Sequence, residues 1–180
     1  TKRYGDGNLY KFSSEGELKE TYETLTHGGM PGFLGVTASS MGSDQSKVVY
    51  ISELGNRIFQ YDVIKNEQAD DLITYEPESG DLVIAITHSA NGDFYSIKAN
   101  FRAGFSLCKH DPTSGSISEQ FELPGPGWAS LCIAMDGKSA YMGNFFNGTM
   151  GRFNLTNGEM IASAETNVER SLAGIAQFIG

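Results

Sequence analysis

Leu9-Tyr-Lys-Phe-Ser13, Ile58-Phe-Gln-Tyr-Asp62, Leu107-Cys-Lys-His-Asp111 and Met150-Gly-Arg-Phe-Asn154 can be laid on one another residue by residue. Each runs as an apolar residue, a variable one, a long polar one, a ring and a small turn-former, and the copies start 49, 49 and 43 residues apart. A period of that length marks one supersecondary unit repeated along the chain.

Working outward from this motif, each unit resolves into four short strands. An apolar run precedes the later copies: Phe33-Leu-Gly-Val-Thr-Ala38, Leu82-Val-Ile-Ala-Ile-Thr87 and Ala129-Ser-Leu-Cys-Ile-Ala134, with a further copy at Leu172-Ala-Gly-Ile-Ala176. Runs this short, bounded by Gly and Pro, read as buried strands. Gly35, Ala85, Cys132 and Gly174 align as the small residue that a crowded central axis requires, and Ala38, His88, Met135 and Gln177 align at the strand ends. A second strand follows at Lys47–Ser52, Asp93–Lys98 and Ser139–Gly143, introduced by Ala90-Asn-Gly-Asp93 or Met135-Asp-Gly-Lys138. Asn-Gly and Asp-Gly favour hairpin turns because both tolerate positive φ. The opening motif is the third strand. The fourth, at Leu18–Tyr22, Leu72–Tyr75, Ile117–Phe121 and Met160–Ser163, is the most polar, as an outer strand should be.

Four antiparallel strands per unit, small inner residues and polarity growing outward describe a β-propeller blade. The expected fold is therefore all-β: a single domain over 1–180, with about four four-stranded antiparallel blades. Blade 1 takes its third and fourth strands from 5–26 and its first from 170–180, so it is shared between the two ends; blades 2, 3 and 4 span 32–77, 80–123 and 128–167. The second strand of the shared blade is nearly absent, leaving only Arg3 and Tyr4 as a stub. Missing terminal residues, half of a larger propeller, or a homo-oligomer joined through open blade edges are the other arrangements this defect admits.

Composition narrows the partners. A net charge of -9 with 13 scattered Lys and Arg argues against nucleic acid, whose phosphates attract clustered cations. No run approaches the roughly 18 apolar residues of a membrane span, and Thr1-Lys-Arg-Tyr has no signal-peptide core, so a soluble chain of undetermined compartment is expected. Cys108 and Cys132 read as small buried side chains inside strands, with a cross-strand disulfide as the alternative. The sequons at Asn147-Gly-Thr149 and Asn154-Leu-Thr156 read as chance occurrences.

Ile117-Ser-Glu-Gln-Phe-Glu-Leu-Pro-Gly-Pro-Gly-Trp128, with Cys132–Gly137 and Gly148–Phe153, resembles a blade of the SMP-30/gluconolactonase-like and streptogramin B lyase-like propellers, and Tyr50–Tyr61 is similar to their corresponding strand pair. The resemblance implies the fold, and for gluconolactonase-like members a divalent metal such as Ca held by carboxylates and Asn. The chain departs from that pattern: Ser52 and Gly143 stand where an Asp is expected, and the entries Pro31–Phe33 and Gly127–Ala129 have no Asn. The lyases use a His-rich site, whereas His27, His88 and His110 fall in three different repeats.

Propellers bind ligands at one mouth of the channel, and the loops there supply the candidates. His27 lies in the Gly-rich segment Leu25–Pro31 and reads as a general base or ligand against an exposed loop residue. Trp128, the only tryptophan, offers a stacking face or an inter-blade ring. Glu53 is a metal ligand or acid/base, or the partner of Arg57. Asn100 and Asn144 share a loop position and suit either a polar ligand or turn stabilisation. His88 is the titratable residue expected to face the channel, or a core histidine. No nucleophile elbow, phosphate-binding Gly loop or zinc-type Cys/His spacing is present. The expected function is a non-catalytic ligand-binding or protein-interaction propeller without cofactor, its partner a small molecule or protein at the channel mouth. The alternative is a metal-dependent lactonase or hydrolase with a reduced site built from Glu53, Asn100, Asn144 and His88.

Overall fold

A computed structural model of the protein describes residues 7–24, 36–52 and 55–177. Four antiparallel sheets follow one another along the chain. The first is the hairpin β1 (Leu9–Phe12) and β2 (Leu18–Tyr22). The second runs β3 (Val36–Met41), β4 (Lys47–Ser52), β5 (Arg57–Asp62) and β6 (Glu67–Gln68), with β7 (Ile73–Thr74) also paired to β5. The third has β8 (Leu82–His88), β9 (Phe94–Asn100), β10 (Gly104–His110) and β11 (Ile117–Glu122). The fourth has β12 (Trp128–Ile133), β13 (Ser139–Asn144), β14 (Thr149–Asn154) and β15 (Met160–Glu165). These are propeller-like blades in an open series.

Period-two alternation sends each strand's residues to opposite faces, and both faces of the inner sheets are covered by neighbours. Leu9 and Tyr22 of the hairpin pack on Val48, Tyr50, Phe59 and Tyr61 of the second blade. Val49, Ile51 and Ile58, on the other face of that blade, meet Val83, Ile86 and Phe94 of the third. Tyr95, Ile97, Phe105 and Leu107 then meet Leu131, Met142 and Phe153 of the fourth. The outer strand β11 has no buried residue, and every residue of β15 is exposed. The Asn91-Gly92 and Asp136-Gly137 hairpins close as expected, with Gly92 N–H donating to the Ser89 carbonyl (3.0 Å) and Gly137 N–H to that of Ala134 (2.9 Å).

Two strand assignments need correction. The outer strand of the second blade is split into β6 and β7: at Asp70-Asp71 the ladder breaks, although Ala69 and Leu72 N–H still donate to the Gln60 and Ile58 carbonyls. The run Leu172–Ala176 is not a strand. It lies beside β12, where Ser130 Oγ–H donates to the Leu172 carbonyl (3.4 Å) and the Met135 N–H to Gln177 Oε1 (2.9 Å). An inner strand ladders only with the second strand of its own blade, and no such strand stands next to it among the described residues. Of the expected Phe33–Ala38 run, residues 33–35, and with them Gly35, lie outside the described residues, and β3 extends instead to Met41. Cys108 and Cys132 are both free thiols, so the disulfide alternative is excluded, and burial pushes the Cys108 thiol up to about 12. No helix among the described residues is long and apolar enough to cross a membrane.

Candidate functional site

Each inner strand carries a β-bulge at the same place. The pairing register slips between Val36 and Ala38, between Val83 and Ala85, and between Trp128 and Ser130. A bulge inserts one unpaired residue and re-aims it. The three inserted residues, Thr37, Ile84 and Ala129, all line one cavity of about 530 Å³ on the inner side of the blades. Ala173–Ile175 and the phenylalanines Phe101, Phe105, Phe145 and Phe146 also line it. None of the described residues lining it bears a titratable side chain. The bulges also correct the inner alignment: Ala38, Ala85 and Ser130 are the equivalent residues after them, and Cys132 borders a separate cleft.

The sequence candidates separate under this geometry. His27 and Glu53 lie outside the described residues. Trp128 lines the cavity, yet its ring is almost wholly buried, set edge-on against Phe153 at 5.0 Å, with Nε1–H donating to the Pro124 carbonyl (3.2 Å). Its ring belongs to the core shared by the third and fourth blades. Asn144 is buried: its Nδ2 donates to the Pro126 carbonyl (2.9 Å), and its Oδ1 accepts from the Phe146 and Asn147 N–H groups (3.0 and 3.3 Å). Asn100 repeats this, donating to the Ser79 carbonyl and Asp81 Oδ1 (both 2.9 Å) and accepting from Arg102 and Ala103 N–H (both 3.0 Å). At the shared loop position each Asn ties the turn after the second strand to the loop that enters the first. With their amides so engaged, both serve as turn fasteners.

His88 does not line the cavity. Its Nδ1 sits 2.8 Å from Ser40 Oγ, which also accepts the His88 backbone N–H (3.0 Å), and its ring leans on Phe94 at 4.9 Å. This contact stitches β3 to β8. Sequence reasoning missed the more deeply buried His110, whose Nε2 is 2.8 Å from Ser96 Oγ and whose Nδ1 is 2.9 Å from the Gly115 carbonyl. A neutral ring donating from Nδ1 to the carbonyl and accepting the Ser96 hydroxyl proton satisfies both bonds. Its place in the motif, aligned with Phe12, Tyr61 and Phe153, was the available signal for a structural ring. Among the described residues no three His, Cys, Asp or Glu side chains converge in metal-holding geometry.

Burial holds both His88 and His110 below the usual imidazole range, with Asp44 opposing the shift at His88 and the Gly115 carbonyl opposing it at His110. The unfolded chain therefore takes up these protons at higher pH than the folded one. Stability is complete above about pH 6.5 and declines as pH falls toward the lower folded values, by at most about 1.4 kcal/mol per pH unit for each ring. Urea midpoints taken between pH 7.5 and 5 should fall accordingly, and His110→Asn should flatten the descent. A midpoint constant over that window would show that the two rings accept protons without loss.

No protein-family model matches the chain, and no curated protein is similar to it. Among solved structures, 692 chains match, as expected for a blade geometry that many proteins share. One is hydrazine synthase from Kuenenia stuttgartiensis, similar over 78% of this chain at 16% identity with a TM-score of 0.60. This chain covers 38% of that protein's length. The likeness carries the fold, a propeller-like all-β array, and nothing of that protein's chemistry.

Proposed function

We propose that this chain is a non-catalytic binding module whose inner channel takes an apolar, ring-bearing ligand, either a small molecule or an apolar side chain of a protein partner. The observation that carries this is the cavity of about 530 Å³ lined by three bulged inner strands and by phenylalanines, with no titratable side chain among its described lining residues. Concave, mostly apolar pockets with few polar groups are the usual form of a binding site. The blade-level resemblance to gluconolactonase-like propellers is read as a shared scaffold. A lactonase would need converging oxygen ligands for a hard cation, and Asn100 and Asn144 already spend their amides on loop closure.

Trp128 borders the cavity and is the only tryptophan, so its fluorescence reports occupancy. Titration with anilinonaphthalene sulfonate should give saturable energy transfer from Trp128, and Ala129→Phe, which fills the channel from its bulge, should weaken binding at least about tenfold. Absence of saturable binding would sink the proposal. So would a stoichiometric divalent ion, found by elemental analysis of the purified protein, that supports lactone hydrolysis.

A further inference from the structure

Both histidines among the described residues sit at one joint. His88 ends β8 and His110 ends β10, and their rings lean on the same Phe94, at 4.9 and 5.4 Å. Phe94 belongs to the core between the second and third blades, with Val49, Ile51 and Ile58 from the one and Val83 and Ile86 from the other. The cores of the other two junctions contain no imidazole. Each ring ties the third blade to the second by its own route. His88 Nδ1 meets Ser40 Oγ of β3 at 2.8 Å, a direct bond across the joint. His110 Nδ1–H donates to the Gly115 carbonyl (2.9 Å), and Gly115 abuts the Leu72 main chain and Ile73 of the second blade.

In both rings the nitrogen that a further proton would take is already in use. The Ser40 hydroxyl, which accepts the His88 backbone N–H, spends its own proton on His88 Nδ1, and the Ser96 hydroxyl spends its proton on His110 Nε2. Protonation takes the acceptor away from each hydroxyl and sets an imidazolium against Phe94, at a place where Ser96 and His110 are 0% and 1% exposed. The charges around the rings do little to hold that proton. Asp44, in the turn after β3, faces His88 but is itself bonded to the Ser46 N–H and hydroxyl. Lys98 faces His110 and adds repulsion. Asp111 is folded back on the Thr113 and Ser114 N–H groups, Asp93 and Glu119 are paired with Lys109, and Asp71 of the second blade is paired with Arg57.

We propose that the junction between the second and third blades is an acid-sensitive joint: proton uptake by His88 and His110 parts these two blades about the exposed residues 76–80, while each blade keeps its own ladders. Thr37 and Ala38 on one side of the joint and Ile84, Ala85 and Ile86 on the other line the cavity, so parting the blades divides its wall. The apolar junctions on either side have no group that titrates in this range and stay shut.

Cys108 reports the joint. It lies two residues before His110 on the same face of β10, wholly buried and within electrostatic reach of Tyr75 of the second blade. Its modification by 4,4′-dithiodipyridine, followed by peptide mass spectrometry on the unaltered chain and divided by the rate in the urea-unfolded chain at the same pH, measures opening. Opening should increase at least about fivefold between pH 7.5 and 5.5, within the limit of tenfold per pH unit for each ring. Its dependence on low urea should be less than about half that of global unfolding, because only one junction is exposed. The half-buried Cys132 of the fourth blade, treated alike, should show no such pH dependence. His88→Asn and His110→Asn should each remove part of the increase. An opening rate at Cys108 that is unchanged over this pH range would overturn the proposal, and so would a urea dependence equal to that of global unfolding. Both readings are made on the unaltered chain without ligand, so neither depends on what the cavity binds or on how the variants fold.

Discussion

Phe153→Ala should cost about 3–5 kcal/mol, a large share of the stability of a domain whose total is about 5–15 kcal/mol. The ring is wholly buried between the third and fourth blades and meets Trp128 edge-on at 5.0 Å. Its removal leaves a cavity that strands pinned by two ladders cannot collapse into, and it takes away an aromatic pair worth about 0.5–1.5 kcal/mol beyond its area. Chemical denaturation followed by Trp128 fluorescence reads both, because the reporter loses its neighbour even in the folded variant. Ile64→Ala, at a side chain 77% exposed, is the control and should shift stability by less than about 0.5 kcal/mol. Equal effects at the two positions would mean that the blades are not held by this ring.

The second large effect should come from Gly115→Ala. Gly115 closes the turn after the third strand of its blade at φ +71°, and a Cβ there would run into the Leu72 carbonyl oxygen of the second blade and approach Ile73 Cγ1 at 2.7 Å. Its own carbonyl also holds His110 Nδ1. The substitution joins a left-handed backbone penalty of about 1–2 kcal/mol to a clash with main chain that has no rotamer to change, and about 2–4 kcal/mol is expected in all. Gly125, at φ +76° with open space where its Cβ would be, isolates the backbone part: Gly125→Ala should cost only about 1–2 kcal/mol. Unfolding midpoints of the two variants, compared directly, measure how tightly the second and third blades abut. Indistinguishable midpoints would remove the clash from the account.

How much of this was legible in the chain can be judged residue by residue. The third-strand motif located β1, β5, β10 and β14 because a strand's alternation and its closing turn are local properties. It also held the inter-blade code, since Phe12, Tyr61, His110 and Phe153 share one position. Read as a pattern, that position gave a ring. Only packing shows that the ring of the three later copies faces the preceding blade, whereas Phe12 is 58% exposed. His88 looked like a channel residue because it ends an inner strand, whereas in the fold its Nδ1 meets Ser40 Oγ and its ring leans on Phe94. Asn100 and Asn144 looked like ligands because a side-chain amide in a loop reads the same whether its partner is a substrate or the Ser79 and Pro126 carbonyls.

The sequence alone therefore determined the unit: four short antiparallel strands, their turns, their order and the direction in which polarity grows. These depend on neighbours along the chain, where propensity and periodicity act. The tertiary structure decided which residues line the cavity, which polar groups are already spent and which faces pack against a neighbouring blade. Those depend on ladder register and on blades some 45 residues away in sequence, set by packing that no local pattern encodes.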